Sequence, residues 1–303
     1  MKNIFGPINS RRFGTSLGVD LSATTKQCNY DCLYCELSPA KTIQTQTTSV
    51  NVGEIVSELQ EHLSDEIDVI TLTANGEPTL YPYLDELIEK IDTIKNQTQT
   101  LILTNSATLV DEKVFNTLLK LDQVKLSLDS VSEDIYKKID RPHEDIKLSS
   151  ILEALERFSK VFSGKLFIEV LVVKTLNDKE DKVVKLSDYL LRLKNIQRVD
   201  LGTIDRPPAY GVEAVNFETL HSMALLFDSS LPIHIASRSK GKNVASSYSE
   251  EEIVATLSKR PLTQNDIEVL FDENSKNILE KLQKEKIVSQ KEMGGLSFFI
   301  VKK

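Results

Sequence analysis

The sequence predicts an α/β fold, with a partial barrel over residues 1–240, a linker at 241–249 and a small domain at 250–303. Short β-rich runs alternate with longer runs of helical period along the first part, which is typical of a parallel sheet with helical crossovers. The chain of 303 residues is 40% hydrophobic, enough for a large core. The pattern changes after Lys240, which marks the boundary of a second unit.

Seven runs rich in β-branched and apolar residues are candidate strands. They are Leu17–Leu21, Asp68–Ala74, Thr100–Thr104, Val124–Leu128, Leu166–Val173, Arg198–Thr203 and Pro232–Ala236. Six helices with one apolar stripe are expected between them. They are Val52–Leu63, Tyr83–Ile94, Glu112–Leu121, Leu148–Phe158, Val183–Leu193 and Phe217–Phe227. Six or seven such strand–helix units form a partial (β/α)6-type barrel, in which functional residues lie on the loops that follow the strands.

Composition limits the partners of this chain. The net charge of -8, from 45 acidic and 37 basic residues, argues against a broad electrostatic surface for nucleic acid. No apolar run approaches the roughly 18 residues that a membrane-spanning helix needs, and the start, MKNIFGPINSRRFG, has no apolar signal-peptide core. We therefore expect a cytoplasmic protein without a membrane partner.

The three cysteines all lie in the segment CNYDCLYC, as Cys28, Cys32 and Cys35. This segment follows the candidate strand Leu17–Leu21, where a barrel carries its chemistry. Three thiolates at this spacing suit one iron-sulfur cluster, whereas structural zinc takes four protein ligands. None of the four histidines lies close to Cys35 along the chain. A zinc site and buried structural thiols remain the alternatives.

The cysteine motif C-x3-C-x2-C, with Tyr34 before the last cysteine, resembles the signature of the radical S-adenosylmethionine (radical SAM) superfamily. Six further segments resemble, in the same order along the chain, those of small radical SAM proteins akin to wyosine-type tRNA-modifying synthases. The resemblance covers about residues 1–240. The six segments are GPINSRRFGTSLGVDL, TANGEPTLYP, LILTNSATL, VKLSLD, VVKTLND and GTIDRPP. The resemblance implies a radical SAM enzyme with a 4Fe-4S cluster on Cys28, Cys32 and Cys35. Such an enzyme cleaves S-adenosylmethionine reductively and starts radical chemistry by hydrogen abstraction.

The resemblance also implies where S-adenosylmethionine binds. Asn75-Gly76-Glu77-Pro78 matches a Gly-Gly-Glu-Pro segment whose backbone contacts the cofactor's methionine part, with Asn75 in place of the first glycine. Ser127 and Asp129 alternate at the end of one strand, so their side chains are expected to point the same way, and family residues of this kind contact ribose hydroxyls. The alternatives are an ordinary turn and a solvent-facing strand end.

Three further cofactor contacts are implied at Tyr34, Asn105 and Asn177, the last two near strand ends. Arg12, beside Arg11, and Arg206, before a double proline, are candidate catalytic and substrate-binding residues. A guanidinium binds carboxylate or phosphate through paired hydrogen bonds. A solvated surface position is the alternative for each arginine.

The cysteine count restricts the reaction. Wyosine synthases and radical SAM enzymes with auxiliary-cluster domains need cysteines beyond the signature triplet, and this sequence has three in all. One cluster is therefore expected, with an external electron donor such as flavodoxin or ferredoxin. The substrate is unidentified, with tRNA and protein as candidates.

Residues 250–303 predict a winged helix, with three helices followed by a hairpin. The helices are Glu250–Leu257, Gln264–Phe271 and Ser275–Lys286, and the hairpin joins Ile287–Ser289 to Ser297–Val301 through Gly294-Gly295. The net charge of this segment is -1, which favours a protein or substrate contact at least as much as nucleic acid. The alternative function is an iron-sulfur redox sensor with a DNA-binding winged helix, which leaves Asn75-Gly76-Glu77-Pro78 without a role.

Overall fold

A computed structural model describes residues 3–10, 12–22, 25–235, 247–259, 261–293 and 296–302. Three sequence predictions lie wholly or largely outside this range: the placement of Arg11, the linker at 241–249 and the Gly294-Gly295 turn.

The sheet has eight strands that neighbour one another in chain order. They are β1 (Ile4–Ser10), β2 (Gly14–Asp20), β3 (Val69–Thr73), β4 (Gln99–Thr104), β5 (Gln123–Ser127), β6 (Lys165–Val172), β7 (Ile196–Thr203) and β8 (Ile233–Ile235). The β1–β2 pair is antiparallel, and each later pair is parallel. The predicted α/β fold with a mostly parallel sheet is confirmed.

Seven helices are described among these strands. They are α1 (Val52–His62), α2 (Leu84–Ile94), α3 (Glu112–Leu118), α4 (Glu133–Ile139), α5 (Leu148–Val161), α6 (Glu180–Leu190) and α7 (Phe217–Ala224). Helix α1 shows why they form where they do: the Asn51 side chain accepts hydrogen bonds from the N–H groups of Gly53 and Glu54, and Ile55 and Leu59 are buried on one face. Helix α4 was not predicted; it buries only Tyr136 and Ile139, so its apolar face is weakly marked in the sequence.

Strand β1 was also not predicted. It contains Gly6 and Pro7, which weaken a β pattern and are tolerated here because β1 is an edge strand with a register shift between Phe5 and Ile8. The ring of Phe5 packs over Gly18 of β2. A Cβ at Gly18 would lie only 2.2 Å from that ring, so the ring occupies the space of the missing side chain.

Successive side chains along a strand point to opposite faces of the sheet, so one face forms the core and the other lines the barrel interior. In β5, Val124 and Leu126 are fully buried and belong to the main hydrophobic cluster. Lys125 and Ser127 point the opposite way and line a cavity inside the sheet. The chain thus packs its apolar side chains between sheet and helices, and leaves polar side chains facing the interior of the barrel.

The tail contains α8 (Glu250–Lys259), β9 (Leu262–Thr263), α9 (Gln264–Leu270), α10 (Glu273–Lys284), β10 (Val288–Met293) and β11 (Leu296–Val301), with sheet order β10-β11-β9. Its hydrophobic cluster includes Ile253 and Phe271, and Ile8 of β1 packs into it. The Tyr248 hydroxyl donates to the Pro7 carbonyl at 2.8 Å. The tail therefore packs against the edge strand of the barrel. The winged-helix assignment and the domain boundary stay predictions.

Helices in the part of the chain that the structure describes are all too short or too polar to cross a membrane.

Candidate active site

A cavity of about 540 Å³ lies on the inner side of the sheet. Its lining includes Asp20, Ser127 and Leu171, at or near the carboxyl ends of β2, β5 and β6, and all three cysteines. We call the part of the cavity next to these strand ends and the cysteines the upper end of the cavity. The floor consists of Arg12, from the β1–β2 turn, with Lys125 and Glu169.

A larger depression, of about 1240 Å³, lies at the amino ends of the strands, around Gln99 and Arg198. None of the cysteines lines it. Because parallel barrels carry their chemistry at the carboxyl ends of the strands, the smaller cavity is the candidate active site.

The cysteine loop is fixed by backbone hydrogen bonds on both sides. The Leu33 N–H donates to the carbonyl of Ile139, the last residue of α4, at 2.8 Å. The Cys35 N–H donates to the Cys32 carbonyl at 3.1 Å, and the Ile43 N–H to the Cys28 carbonyl at 2.9 Å. Helix α4, which the sequence did not reveal, thus holds the loop in place.

Burial governs the chemistry of the thiols. It raises the pKa of Cys28 to about 12, with a further contribution from the nearby Glu77 carboxylate. It also raises the pKa values of Cys32 and Cys35, and the Lys26 ammonium opposes this at Cys35. Because metal ligation needs thiolates, a bound positive group must supply the compensating charge.

The thiols fit a cluster better than a single ion. Three partly buried cysteines line one cavity. Across the described residues, no three or more His, Cys, Asp or Glu side chains are already close enough to hold one metal ion. Three cysteines suit an iron-sulfur cluster, whereas a structural zinc site takes four protein ligands.

Asn75-Gly76-Glu77-Pro78 lies beside the first cysteine. The Gln27 N–H donates to the Asn75 carbonyl at 2.9 Å, and the Glu77 N–H to the Gln27 carbonyl at 3.0 Å. Gly76 has φ +139°, and a Cβ there would lie 1.9 Å from the Gln27 carbonyl oxygen. Only glycine allows this approach, so Gly76 fixes the segment against the residue preceding Cys28.

The Glu77 carboxylate joins two loops. It accepts hydrogen bonds from the Thr79 N–H at 3.0 Å, the Thr104 hydroxyl at 2.6 Å and the Asn105 N–H at 2.8 Å. Burial raises its pKa, and these hydrogen bonds oppose the shift. Pro78 begins a short 3-10 helix and does not line the cavity.

Asn105 connects these loops to the cysteines. Its side-chain amide donates to Asn29 Oδ1 at 2.6 Å and to Cys28 Sγ at 3.8 Å. Asn75, Gly76, Glu77 and Asn105 all line the cavity. The structure therefore brings most of the implied cofactor residues to the upper end.

Ser127 and Asp129 both line a small cavity of about 10 Å³, but only one of them reaches the larger cavity. Ser127 lines the 540 Å³ cavity, whereas Asp129 does not. Strand β5 ends at Ser127, so the two-residue period no longer applies beyond it. Asp129 Oδ1 accepts from the Leu171 N–H at 2.8 Å.

Asp129 instead belongs to a buried pair of carboxyl groups. Burial raises the pKa of Asp129 to about 6 and that of Asp140 well above its usual range, and each carboxyl also influences the other. The Tyr34 hydroxyl donates to Asp140 Oδ1 at 3.4 Å. Tyr34 also lines the cavity, and so connects the pair to the cysteine loop.

Asn177 lies outside the cavity lining, so the implied cofactor contact is not supported. Its Oδ1 accepts from the Val173 N–H at 2.8 Å. Its Nδ2 donates to the carbonyls of Asp129 at 3.0 Å and Leu171 at 2.9 Å. The side-chain amide holds backbone groups together and has no donor left for a ligand.

Both candidate arginines line the cavity, at opposite ends, and both are paired with carboxylates. Arg206 donates to the two oxygens of Glu36, at 2.8 and 3.0 Å, next to Cys35. Arg12 contacts Glu169 at 2.9 Å and Asp200 at 3.2 Å, at the floor. The structure therefore places Arg206 at the cysteine loop and Arg12 at the floor.

The sequence interpretation missed Lys125 and Glu169. Their charged groups are 2.6 Å apart inside the barrel. The available signal was one charged residue between apolar neighbours in each of two strands, in VKL and LFIEVLV. A buried charge in that position requires a partner or a function.

Comparisons with known proteins agree with this geometry. The sequence profile of the radical SAM superfamily matches residues 22–187. A UPF0026 protein of Helicobacter pylori is 39% identical over 302 residues, which cover 98% of this chain and 96% of that protein. A GTP 3',8-cyclase of the same species is 30% identical over 169 residues, 55% of this chain and 50% of that protein.

The fold also resembles that of Streptococcus suis SuiB bound to precursor peptide SuiA. The TM-score is 0.56 at 16% identity, over 71% of this chain and 48% of that one.

The chain belongs to the radical SAM superfamily. It is an enzyme of this superfamily, and its cofactors are a 4Fe-4S cluster and S-adenosylmethionine. The superfamily prediction is confirmed, while the likeness to wyosine-type synthases remains a loose analogy.

Proposed function

We propose that Cys28, Cys32 and Cys35 hold the 4Fe-4S cluster, and that the enzyme cleaves S-adenosylmethionine reductively to begin hydrogen abstraction from a substrate. One observation carries the proposal. The three cysteines and the Asn75–Glu77 segment meet at the upper end of one cavity. When bound, the two cofactors supply one-electron chemistry that no side chain of the protein provides.

The protein's own residues position and shield this site. The backbone pairing of Gln27 with Asn75 and Glu77 keeps the S-adenosylmethionine segment next to Cys28. The Asn105 amide donates towards Cys28 Sγ, which in a cluster would place a hydrogen bond on a ligand sulfur. Tyr30, which is buried and lines the cavity, reduces access of water to the cysteines.

The partners follow from this role. An external donor such as flavodoxin or ferredoxin would reduce the cluster. Ser127 would contact the ribose, in the sense that the resemblance implies. The three cysteines of this sequence provide ligands for one cluster, so a reaction that needs a second cysteine-bound cluster is not proposed. One relative is named GTP 3',8-cyclase, so nucleotides should be screened as candidate substrates alongside tRNA and protein.

The test is cleavage of S-adenosylmethionine by protein reconstituted with iron and sulfide without air. With dithionite, the wild type is expected to form 5'-deoxyadenosine and methionine. Cys28→Ala, Cys32→Ala and Cys35→Ala should each lose this product to background, because each removes one of three ligands. Lys41→Ala, an exposed change in the loop that follows, is the matched control and should retain it.

A cluster that forms without any 5'-deoxyadenosine would overturn the proposal. It would favour the alternative of a redox sensor with a DNA-binding tail.

A further inference from the structure

The floor of the cavity contains a buried cation with a single shared partner. The Lys125 side chain is 9% exposed and lies 2.6 Å from Glu169. Arg12 binds the same Glu169 oxygen at 2.9 Å. Lys125 therefore shares its one carboxylate partner with Arg12, which also contacts Asp200, where the floor borders the cavity.

Other carboxylates partly offset these two cations: Asp200 acts on both Lys125 and Arg12, and Asp205 acts on Arg12. Asp200, which is fully buried, contacts Arg12 at 3.2 Å and Arg198 at 2.7 Å. It does not line the cavity. Four other carboxylates do, but all lie at the carboxyl end of a strand or on a loop that follows one. They are Asp20, Glu36, Glu77 and Asp205.

The electrostatics of Lys125 agree with an incomplete site. Burial lowers the pKa of Lys125, and Arg12 lowers it further, although Glu169 acts in the opposite direction. A second anion beside Lys125 would stabilise its charged form. The hydroxyls of Ser16 and Thr71 line the same cavity and are hydrogen-bonded to each other at 2.7 Å, which leaves one hydroxyl hydrogen free to donate to such an anion.

We propose that the Lys125 ammonium at the cavity floor binds the anionic group of a small organic substrate, which is thereby held between the floor and the cysteine loop. This inference rests on the proposed function, since it treats the cavity as the substrate site. A volume of about 540 Å³ is within the usual range of roughly 300–1,000 Å³ for small-molecule pockets. A carboxylate and a phosphate share the required chemistry, and the probes below distinguish them.

The experiment uses fluorine NMR on protein reconstituted with its cluster and saturated with S-adenosylmethionine, without reductant. The probes are 4-fluorobenzoate, 4-fluorophenylphosphonate and the neutral 4-fluorobenzamide, which matches the benzoate in shape. We expect one of the two anions to broaden at least three-fold more than the amide. Greater broadening of benzoate indicates a carboxylate substrate, and of phosphonate a phosphate.

Variants assign the effect to Lys125. Lys125→Met should reduce the broadening of the anion to the level of the amide, whereas Lys125→Arg should retain it. Lys185→Met, which removes an exposed lysine on α6, is the control and should behave as wild type. Glu169→Gln should increase anion binding, because it removes the competing carboxylate, and it provides an independent answer if Lys125→Met fails to fold.

Equal broadening of anions and amide, or full anion binding in Lys125→Met, would overturn the inference. Its failure is distinguishable from failure of the proposed function. If no 5'-deoxyadenosine forms but anion binding still depends on Lys125, the proposed function fails and the anion site stands. With 5'-deoxyadenosine but no such binding, the reverse holds.

Discussion

The two ends of the cavity are built by different means. At the upper end, thiols, backbone groups and amides meet on loops, and Gly76 sets the closest approach. At the floor, alternating charges cross from β5 to β7, with Arg12 inserted between Glu169 and Asp200. The upper end therefore suits cofactors that bind through few, fixed contacts, and the floor suits recognition of a charged group.

The comparison also explains what sequence alone reveals. Each component of the upper end is a short contiguous motif, so Cys28, Cys32, Cys35 and Asn75-Gly76-Glu77-Pro78 stand out without a structure. The floor depends on the register between strands, in which Glu169 pairs with Asp200 across β6 and β7. Such neighbours are far apart in the chain and have no local signature.

The largest combined effect on S-adenosylmethionine affinity and stability is expected from a substitution at Gly76. Gly76→Ala would place a Cβ 1.9 Å from the Gln27 carbonyl in a backbone conformation that disfavours side chains, so the segment must move away from Cys28. We expect S-adenosylmethionine affinity to fall at least ten-fold and unfolding free energy to fall by about 1–3 kcal/mol. Calorimetric titration and chemical denaturation measure the two.

Gly211→Ala is the matched control, because nothing lies within 4 Å of a Cβ at that position. Equal affinity and stability of the two variants would show that S-adenosylmethionine binding does not need the close approach at Gly76. The upper end of the cavity would then be no more rigid than the rest.

The next prediction distinguishes residues that stabilise the upper end of the cavity from residues that bind S-adenosylmethionine there. Asn177→Ala removes three hydrogen bonds to the backbone of Val173, Asp129 and Leu171. Unfolding free energy should fall by about 3 kcal/mol, at roughly 1 kcal/mol for each bond. S-adenosylmethionine affinity of the folded protein should stay within two-fold of wild type. A selective loss of affinity without loss of stability would restore Asn177 to the cofactor site.

The smallest effect concerns the floor. Lys125 and Arg12 lower the pKa of Glu169 from 4.5 to about 2, against the effect of burial. The charged carboxylate thus stabilises the fold above pH 4.5, and this contribution is lost as pH falls towards 2. From pH 7 to pH 3 the wild type should lose about 2 kcal/mol more unfolding free energy than Glu169→Gln. Denaturant titrations at both pH values measure the difference, and parallel losses would mean that Glu169 is not charged at the floor.

Much of the barrel was predictable. The parallel strands β3 to β8 lie within about two residues of their expected ends, because buried strands read as continuous apolar runs. Strand β1 and helix α4 were missed, since Gly6-Pro7 interrupts the pattern of the strand and the helix buries only two side chains, Tyr136 and Ile139.

Side-chain direction was the weaker part of the site prediction. The cysteines and the residues Asn75 to Glu77 line the cavity together, whereas Asp129 and Asn177, which lie beyond the ends of their strands, do not line it. Strand alternation gives the side of a residue only while the strand continues.

The account depends most directly on one cluster that shares the upper end with S-adenosylmethionine. Mössbauer spectroscopy of protein reconstituted with iron-57 measures this. We expect four irons per chain in one 4Fe-4S cluster, and a change in the signal of a single iron when S-adenosylmethionine is added. A cluster whose four irons are all unaffected by S-adenosylmethionine would contradict the account, as would a chain that retains zinc in place of iron.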